Sequence, residues 1–337
     1  MNTQADEPVG DPEASSPRSR LRWTVPLAVG AATGFVLRLI FAGDPEDIFN
    51  TMAGAFFLLA PVVVGAVTVY AAERRHRHSW GYYFRAAAAA NLLLVLGTFL
   101  VYIEGLICTI LAAPWFAVIG GLAGLAMGAV CRWAGHPRNT LLSVAALPLI
   151  LGPMEHRLPL PNTVDTVSAV RLIDAPPDCV WQSIGHAENI LPDEIGSAWM
   201  YRIGVPLPLS AVTDESNGER VRHIEMGKGI RFDQVVVDWE PERRVRYTYR
   251  FTPDSFPPRA LDDHVRIGGE YFDLHDTEYL LEPTPEGTRL TVRMSYRVST
   301  HFNWYARPVG RLLVGNFEKT ALDFYAMRAE RAATAEL

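Results

Sequence analysis

Residues 271–299 read YFDLHDTEYLLEPTPEGTRLTVRMSYRVS, and this stretch decides the fold. It predicts two antiparallel strands, Tyr271–Pro283 and Gly287–Ser299, because Pro285 and Gly287 supply the backbone angles of a tight reversal. In the second strand apolar and polar residues alternate, which is typical of a strand with one buried face. The apolar positions are Leu290, Val292, Met294, Tyr296 and Val298, and the polar positions are Arg289, Thr291, Arg293, Ser295 and Arg297. The hairpin is therefore predicted to belong to a sheet that has one buried face and one face exposed to solvent.

The exposed arginines predict which face of the first strand points outward. Opposite charges across antiparallel strands stabilise a sheet by about 0.2–1 kcal/mol per pair. We therefore expect Asp276, Glu278 and Glu282 to lie beside the arginines. The face that turns inward then holds Tyr271, Asp273, His275, Thr277, Tyr279 and Leu281. That inward face is polar for a protein core.

Asp273 and His275 are candidate catalytic residues because they share the predicted inward face. Two positions apart on one strand, their Cα atoms lie about 6.5–7 Å from each other. One interpretation is a general base, His275, that is oriented by the carboxylate of Asp273, as a cyclase or hydrolase needs. The other interpretation is a hydrogen-bonded polar pair near the open end of the sheet.

A long amphipathic helix of about thirty residues is predicted after the hairpin, starting near His301. Thr300 is its predicted N-cap, and Pro308 predicts that a first short turn is offset from the main helix. Apolar residues recur at spacings of three and four, namely Phe302, Tyr305, Val309, Leu312, Leu313, Phe317, Leu322, Phe324 and Tyr325. Much of the remaining surface is assigned to Arg311, Glu318, Lys319, Arg328 and Arg331.

Upstream of the hairpin the chain predicts a strand, a helix and a run of antiparallel strands. Val164–Asp174 has the pattern of a strand, and Pro177 followed by Asp178 begins a helix. Ile190–Ser210 is predicted to be irregular. Further strands are predicted at Glu219–Met226, Ile230–Trp239 and Arg244–Thr252. The economical way to bury all of these elements is an α+β domain in which a curved antiparallel sheet surrounds the long C-terminal helix.

Aromatic and sulfur-containing side chains predict the lining of a cavity inside this domain. A phenol ring combines an apolar body with a hydroxyl that orients an apolar ligand. The alternative is that these side chains are simply the core. The candidate ligand-binding residues are Tyr247, Tyr249, Phe251, Tyr271, Tyr279, Met294, Tyr296 and Tyr305.

The insertion Pro253–Glu270 is predicted to be either a lid over this cavity or an ordinary solvated loop. Asp262, Asp263, His264 and His275 are metal-ligand types, but their spacing matches no metal motif. The chain also carries no phosphate-binding loop and no nucleophile motif. We therefore expect neither a metal nor a cofactor.

Three motifs resemble the START-like superfamily called SRPBCC. They are Ile173–Pro177 leading to Val180-Trp181, Val237–Pro241 before Arg243–Val245, and Tyr279–Pro283 with Gly287–Leu290. The stretch Tyr271–Leu274 is similar to membrane-fused members of the polyketide cyclase/dehydrase and lipid-transport type. The resemblance covers Thr166–Ala333. It implies a helix-grip fold with an apolar cavity between sheet and helix, and relatives that bind lipids, sterols, polyketides or other hydrophobic molecules, a minority of them as enzymes.

The leading functional hypothesis is a membrane-anchored domain that binds a hydrophobic small molecule or lipid in this cavity. One alternative is a cyclase/dehydrase-type enzyme that acts on a hydrophobic substrate. Another is a membrane-tethered interaction or sensor protein, for which the sequence names no protein partner. A net charge of −6 with scattered basic residues argues against nucleic acid as a partner.

The first half of the 337-residue chain is predicted to lie in a membrane. Residues 1–22 are predicted to be a disordered cytoplasmic tail, 23–154 a multi-pass transmembrane domain, 155–165 a linker and 166–334 the SRPBCC domain. A spanning helix needs about twenty mostly apolar residues. Four spans are predicted, in Trp23–Gly43, in Phe49–Ala72 and two in Phe84–Arg132, and a short fifth candidate is Thr140–Met154.

Charges in the short loops predict the orientation. Arginines precede the first span, follow the second and follow the fourth, whereas Asp44, Glu46 and Asp47 separate the first two. By the positive-inside rule the N-terminus is cytoplasmic. If the fifth stretch spans, the C-terminal domain is extracytoplasmic, and we favour that topology because the stretch is densely apolar. Arg38 and Glu104 either pair within the membrane or separately reach its surface.

Overall fold

A computed structural model describes residues 17–135, 138–195, 198–216, 218–262 and 266–335. The chain forms two compact units. Unit 1 takes in the chain up to Val36, Pro61–Leu94 and Phe116–Ala145, and unit 2 takes in Leu37–Ala60, Val95–Trp115 and the chain from Ala146 onward. Each apolar helix therefore contributes residues to both units.

Five helices precede the sheet, namely α1 (Pro17–Ile40), α2 (Gly54–Glu73), α3 (Trp80–Leu100), α4 (Leu106–Ala134) and α5 (Arg138–Glu155). Among the described residues, α2, α3 and α4 are long and apolar enough to cross a membrane, and a shorter apolar helix, Thr24–Ile40, lies within α1. Helix α1 begins at Pro17, inside the predicted disordered tail, and residues 1–16 of that tail lie outside the described residues. Helix α5 contains the whole of the short fifth stretch.

Unit 1 is packed through small residues. A Cβ atom on Gly65 would lie 2.2 Å from the carbonyl oxygen of Gly120, and one on Gly124 would lie 2.5 Å from the Cβ of Ala87. Only glycine permits backbones to approach this closely. The small residues of α2 and α4 therefore bring these helices into close contact with their neighbours.

The sheet of unit 2 has eight antiparallel strands. The strands are β1 (Thr163–Ile173), β2 (His186–Ala187), β3 (Pro208–Ser216), β4 (Glu219–Met226), β5 (Arg231–Glu240), β6 (Arg244–Arg250), β7 (Phe272–Thr284) and β8 (Gly287–Val298). Their order across the sheet is β1-β8-β7-β6-β5-β4-β3-β2. The helices of this part are α6 (Pro177–Gly185), α7 (Trp199–Arg202) and α8 (Asn303–Ala335), and the curled sheet packs on α8. Strands β2 and β3 were not predicted by the alternation of residues.

Charged residues on the outer face of the sheet form ion pairs, two of them as predicted. Arg293 lies 3.1 Å from Glu278, and Arg289 lies 3.5 Å from Glu282. Asp276 was expected beside the arginines of β8, but it pairs with Arg246 on β6 at a nitrogen–oxygen distance of 3.1 Å. We call these three pairs the outer charge ladder. The inward positions of β8, from Leu290 to Val298, are buried as predicted.

The prediction that Asp273 faces the interior is wrong, and His275 falls at an irregularity that the predicted alternation did not include. Strand β7 has a β-bulge between Leu274 and Asp276, so the faces exchange there. Before the bulge, Phe272 and Leu274 pack on the core, and Asp273 lies opposite Arg297. His275 occupies the bulge itself. The strict alternation used in the prediction cannot detect one inserted residue, although it places Thr277 and Tyr279 correctly.

Three details of α8 also differ from the predictions. Thr300 does not cap the helix with its hydroxyl oxygen, because its N–H and its hydroxyl both donate to Oδ1 of Asn303, at 2.9 and 3.0 Å. Pro308 does not offset a first turn, since the helix continues through it. Glu318, assigned to the surface, is completely buried, whereas Leu312 is 61% exposed. The sequence prediction therefore placed Leu312 on the buried face of the helix and Glu318 on the exposed face, and the structure shows the reverse.

Candidate ligand-binding site

Polar side chains cross the inner face of the sheet in one continuous row. Arg222 on β4 lies directly opposite Thr213 on β3 and Gln234 on β5, and Gln234 lies opposite Tyr249 on β6. The hydroxyl of Tyr249 lies 2.6 Å from Oγ1 of Thr277 on β7. Residues opposite each other in a sheet share a face. We call this row, with Tyr247 and with Glu318 and Tyr325 of α8, the interior polar band.

Arg222 is the charged centre of the interior polar band and is only 2% exposed. Its Nη2 donates to the hydroxyl of Tyr325 at 2.8 Å, and its Nη1 donates to Oε1 of Gln234 at 3.3 Å. The guanidinium carbon lies 5.5 Å from the ring centroid of Tyr247. Among the described residues, Nε has no hydrogen-bond partner and no carboxylate forms an ion pair with this arginine. A guanidinium cannot lose its charge in a protein, so Arg222 is a buried cation to which the described residues supply no counter-ion.

The tyrosines around Arg222 do not compensate its charge. Tyr279 packs edge-on against Tyr247 and Tyr325, with ring centroids 6.2 and 5.7 Å apart. Burial is the main cause that raises the pKa of Tyr247 and Tyr279, and it raises the pKa of Tyr249 to about 12. The phenols therefore stay neutral at physiological pH. They orient the guanidinium and leave its positive charge in place.

Glu318 of α8 is the second ionisable group inside the domain. Its Oε1 accepts the backbone N–H of Met294 on β8 at 3.1 Å, and its Oε2 has no hydrogen-bond partner among the described residues. Burial raises the pKa of this carboxyl to about 7, and the bond from Met294 opposes that shift. Glu318 lies four and seven residues before Leu322 and Tyr325, which is the spacing of one helix face.

The predicted ligand-binding residues fall into three places. Tyr247, Tyr279, Met294 and Tyr296 are buried in the core between sheet and α8, with Tyr249 partly buried beside them. Phe251 lies instead in an adjoining aromatic cluster with Phe232 and Phe256, both at centroid distances of 5.5 Å, and Tyr249 stacks on Phe251 at 5.9 Å. That cluster also anchors the insertion that was predicted to be a lid.

Tyr271 contacts the connection between α1 and α2, and Tyr305 contacts the first part of α4, all within unit 2. The Tyr271 hydroxyl donates to Oδ1 of Asn50 at 3.3 Å. The Tyr305 hydroxyl donates to the carbonyl oxygen of Leu111, and its ring lies 5.7 Å from that of Trp115. The structure therefore does not bring these two tyrosines to the interior polar band.

The proposed catalytic pair is separate from the interior polar band. Asp273 lies on the Arg297 side of the sheet, and His275 lies at the bulge of β7. Their catalytic role stays a prediction. In the part of the chain that the structure describes, no group of three or more metal-ligand side chains is found, and Asp263 and His264 lie outside that part.

Sequence reasoning missed Arg222 and Glu318, the two charged members of the interior polar band. A signal existed for the arginine, because Arg222 has the same strand parity as Ile224 and Met226, while His223 shares the opposite parity with other charged residues. For Glu318 the signal was that it precedes the apolar position Tyr325 by seven residues, which places both on one face of a helix. Both were overlooked because a charged residue is ordinarily assigned to the surface.

One protein family matches the C-terminal half of the chain. Residues 165–330 match the family described as polyketide cyclase / dehydrase and lipid transport. A solved structure from Mesorhizobium loti has 20% identity over 50% of this chain and 98% of that chain, with a TM-score of 0.30. One from Thermus thermophilus has 20% identity over 50% and 99%, with a TM-score of 0.31. The di-domain ARO/CYC BexL from the BE-7585A biosynthetic pathway has 18% identity over 63% of each chain, with a TM-score of 0.32. No curated protein matches the chain.

Proposed function

We propose that this chain, whose C-terminal half is a polyketide cyclase/SRPBCC domain, is a membrane-anchored binder of a hydrophobic molecule that carries an anionic group. The apolar part of the ligand would lie between the sheet and α8, among the buried rings of the core. Its anionic group would bind Arg222. The buried and uncompensated charge of Arg222 is the observation that carries the proposal.

The energetics of a buried cation favour this assignment. An ion taken out of water loses several kcal/mol of solvation unless a partner charge replaces it. In Arg222 two nitrogens bind neutral acceptors, and the third, Nε, is buried without a hydrogen-bond partner among the described residues. A carboxylate or phosphate oxygen makes a charge-assisted hydrogen bond to such a donor, about twice as strong as a neutral one. An apolar molecule without a charge gains nothing from this site.

Native mass spectrometry of the full chain in detergent tests the proposal. We expect the purified chain to retain an amphipathic anion, and Arg222→Met to retain at least about tenfold less, because a buried charge pair lost on one side costs 2–5 kcal/mol. Arg220→Met is the matched control, since Arg220 lies on the same strand but is partly exposed and pairs with Glu215 at 3.3 Å. Equal retention by the wild type and Arg222→Met contradicts the proposal.

We also propose that all five helices cross the membrane and that the C-terminal domain is extracytoplasmic. Within unit 2, Glu155 at the end of α5 accepts the N–H groups of Gly54 and Ala55 at 2.5 and 2.6 Å, so α5 ends where α2 begins. Arg38 near the end of α1 and Glu104 in the connection between α3 and α4 pair at 2.6 Å in the same unit. The domain therefore shares a membrane side with the α1–α2 and α3–α4 connections.

The charges support this orientation. The connection on the domain side, between α1 and α2, carries Asp44, Glu46 and Asp47, whereas basic residues follow α2 and flank the junction of α4 and α5. The positive-inside rule puts the basic connections in the cytoplasm. A C-terminal alkaline phosphatase fusion should therefore be active and a C-terminal green fluorescent protein fusion dark. A fluorescent fusion with inactive phosphatase contradicts this topology.

A further inference from the structure

Glu318 has a polar atom that nothing in the described part of the domain satisfies. The residue is completely buried, and its Oε1 is held by the N–H of Met294. Its Oε2 is buried without a hydrogen-bond partner among the described residues. Buried polar atoms are nearly always hydrogen-bonded, so an unpaired one calls for a partner.

This unpaired oxygen lies on the same helix face as the contact to Arg222. Tyr325, which accepts the bond from Arg222, follows Glu318 by seven residues. Seven residues of α-helix rise about 10.5 Å, and two turns return to the same face. Glu318 and Tyr325, which holds Arg222, are thus spaced along α8 with the apolar side chain of Leu322 between them.

We infer that Glu318 is a second anchor of the ligand, which donates a hydrogen bond from Oε2 to an oxygen acceptor on the part of the ligand that lies two turns of α8, about 10 Å, from Tyr325. The inference rests on the proposed binding at Arg222 and narrows the ligand class. The ligand is an amphipathic anion whose apolar chain or ring system carries a carbonyl or similar acceptor. A simple saturated fatty acid lacks that group.

The chemistry of the carboxyl supports donation rather than acceptance. A buried acid with one acceptor oxygen already used by a backbone N–H is most stable when its other oxygen is protonated. Burial raises the pKa of Glu318 to about 7, which keeps a large share of the acid protonated at neutral pH. A protonated carboxyl is a donor that an acceptor oxygen satisfies.

Competition between two acids tests the inference in the full chain in detergent. Octadecanoate and 10-oxooctadecanoate share the anionic group and the chain, and only the second carries an acceptor about 11 Å from the carboxylate, a distance chosen to match the helix rise. We expect the wild type to favour the oxo acid by about fivefold over the ratio seen with Glu318→Met, which corresponds to one hydrogen bond. Native mass spectrometry of an equimolar mixture reads this ratio, and comparison with the variant cancels the partition of the acids into detergent.

Two further variants separate the role of the donor from packing. Glu318→Gln retains an N–H donor and should keep the preference for the oxo acid. Lys319→Gln alters the exposed neighbour of Glu318 and should behave as the wild type. The infrared band of the bound ketone gives a readout that needs no variant, since a hydrogen bond lowers its frequency below the value in an apolar solvent.

The outcomes are distinct. Equal ratios for the wild type and Glu318→Met, or a ketone band at its apolar-solvent frequency, overturn the role of Glu318 while binding at Arg222 stands. Failure of the wild type to bind either acid overturns the proposed function, and the role of Glu318 with it. A preference that Glu318→Met loses and Glu318→Gln retains supports both.

Discussion

The sheet of unit 2 carries a row of polar residues on each of its faces, the outer charge ladder and the interior polar band. On the outer face, Arg293 and Arg289 each meet a carboxylate of the neighbouring strand in contact with water. On the inner face, Arg222 is buried and its two described acceptors are neutral. The same residue type is thus paired and solvated on one side of the sheet, and uncompensated on the other.

The difference indicates which row is structural and which is functional. Exposed ion pairs contribute about 0–1 kcal/mol each, and charges facing each other across strands favour one register. A buried charge without a counter-charge lowers stability, because apolar residues of similar size would pack there at less cost. A local rule broken at such a cost points to a functional site.

Glu318 gives the largest expected contrast with the outer carboxylates. Its folded-state pKa is raised from 4.5 to about 7, so its contribution to stability is fully present below pH 4.5 and is lost as the pH rises through 7. A shift of this size corresponds to about 3–4 kcal/mol. We expect the melting temperature of the wild type to fall between pH 5 and 8 relative to that of Glu318→Gln.

The comparison with Glu318→Gln removes other titrations. His223, whose pKa is raised mainly by its hydrogen bond to Asp233, also loses stabilising charge as the pH rises, but it does so in both proteins. Thermal unfolding of the full chain in detergent at several pH values measures the effect. Parallel pH curves for the wild type and Glu318→Gln contradict the assignment of Glu318 as a buried acid.

Tyr325→Phe tests how strongly the buried charge of Arg222 depends on its hydrogen-bond acceptor. Its effect on stability should be the second largest. The substitution deletes the acceptor of a buried cation, and hydrogen bonds to charged groups contribute about 1.5–3 kcal/mol. For a domain of this size the expected loss is about 4–8 °C in melting temperature. The measurement is thermal unfolding of the full chain.

A double-mutant cycle identifies the cause of that loss. In the background Arg222→Met the cation is absent, so Tyr325→Phe should cost much less than it does in the wild type. Additive effects of the two substitutions would mean that the tyrosine hydroxyl acts independently of Arg222.

The sequence predicts the fold of unit 2 wherever a strand alternates strictly. The β7–β8 hairpin, the outer pairs and the long α8 follow from side-chain parity and opposite charge. The bulge at His275 shifts that parity by one residue, and no residue type in β7 indicates that a bulge is present. Strand β3 was missed because Pro206 and Pro208 indicate an irregular segment, although the strand begins at the second proline.

The candidate site was only partly predictable for a related reason. Tyr247, Tyr279 and Met294 are apolar enough to be assigned to the interior from one strand alone. Arg222 and Glu318 become interior residues only when their neighbours on β5 and α8 surround them, since exposure is otherwise cheaper for a charge. Burial of a charge is a property of tertiary packing, which a single-strand pattern does not contain.

The pair Tyr249 and Thr277 allows a finer test of the interior polar band. Their hydroxyl oxygens lie 2.6 Å apart, and Thr277 is buried. Tyr249→Phe or Thr277→Val leaves one hydroxyl without this partner and should destabilise the chain by about 1 kcal/mol. The double variant should cost less than the sum of the two, and strict additivity in thermal unfolding would show that the two hydroxyls do not interact.

The outer charge ladder should give the smallest effect. Glu278→Gln removes the carboxylate 3.1 Å from Arg293 but leaves that guanidinium, whose side chain is 55% exposed, in contact with water. Since water solvates the released charge, we expect a loss of under about 0.5 kcal/mol, which 0.5 M NaCl reduces further by screening. Tyr325→Phe should be nearly unaffected by the same salt, because Arg222 is buried. Thermal unfolding of both variants at low and high salt measures the contrast, and a salt-insensitive loss of about 2 kcal/mol or more in Glu278→Gln would mean that the outer ladder, too, holds its charges away from water.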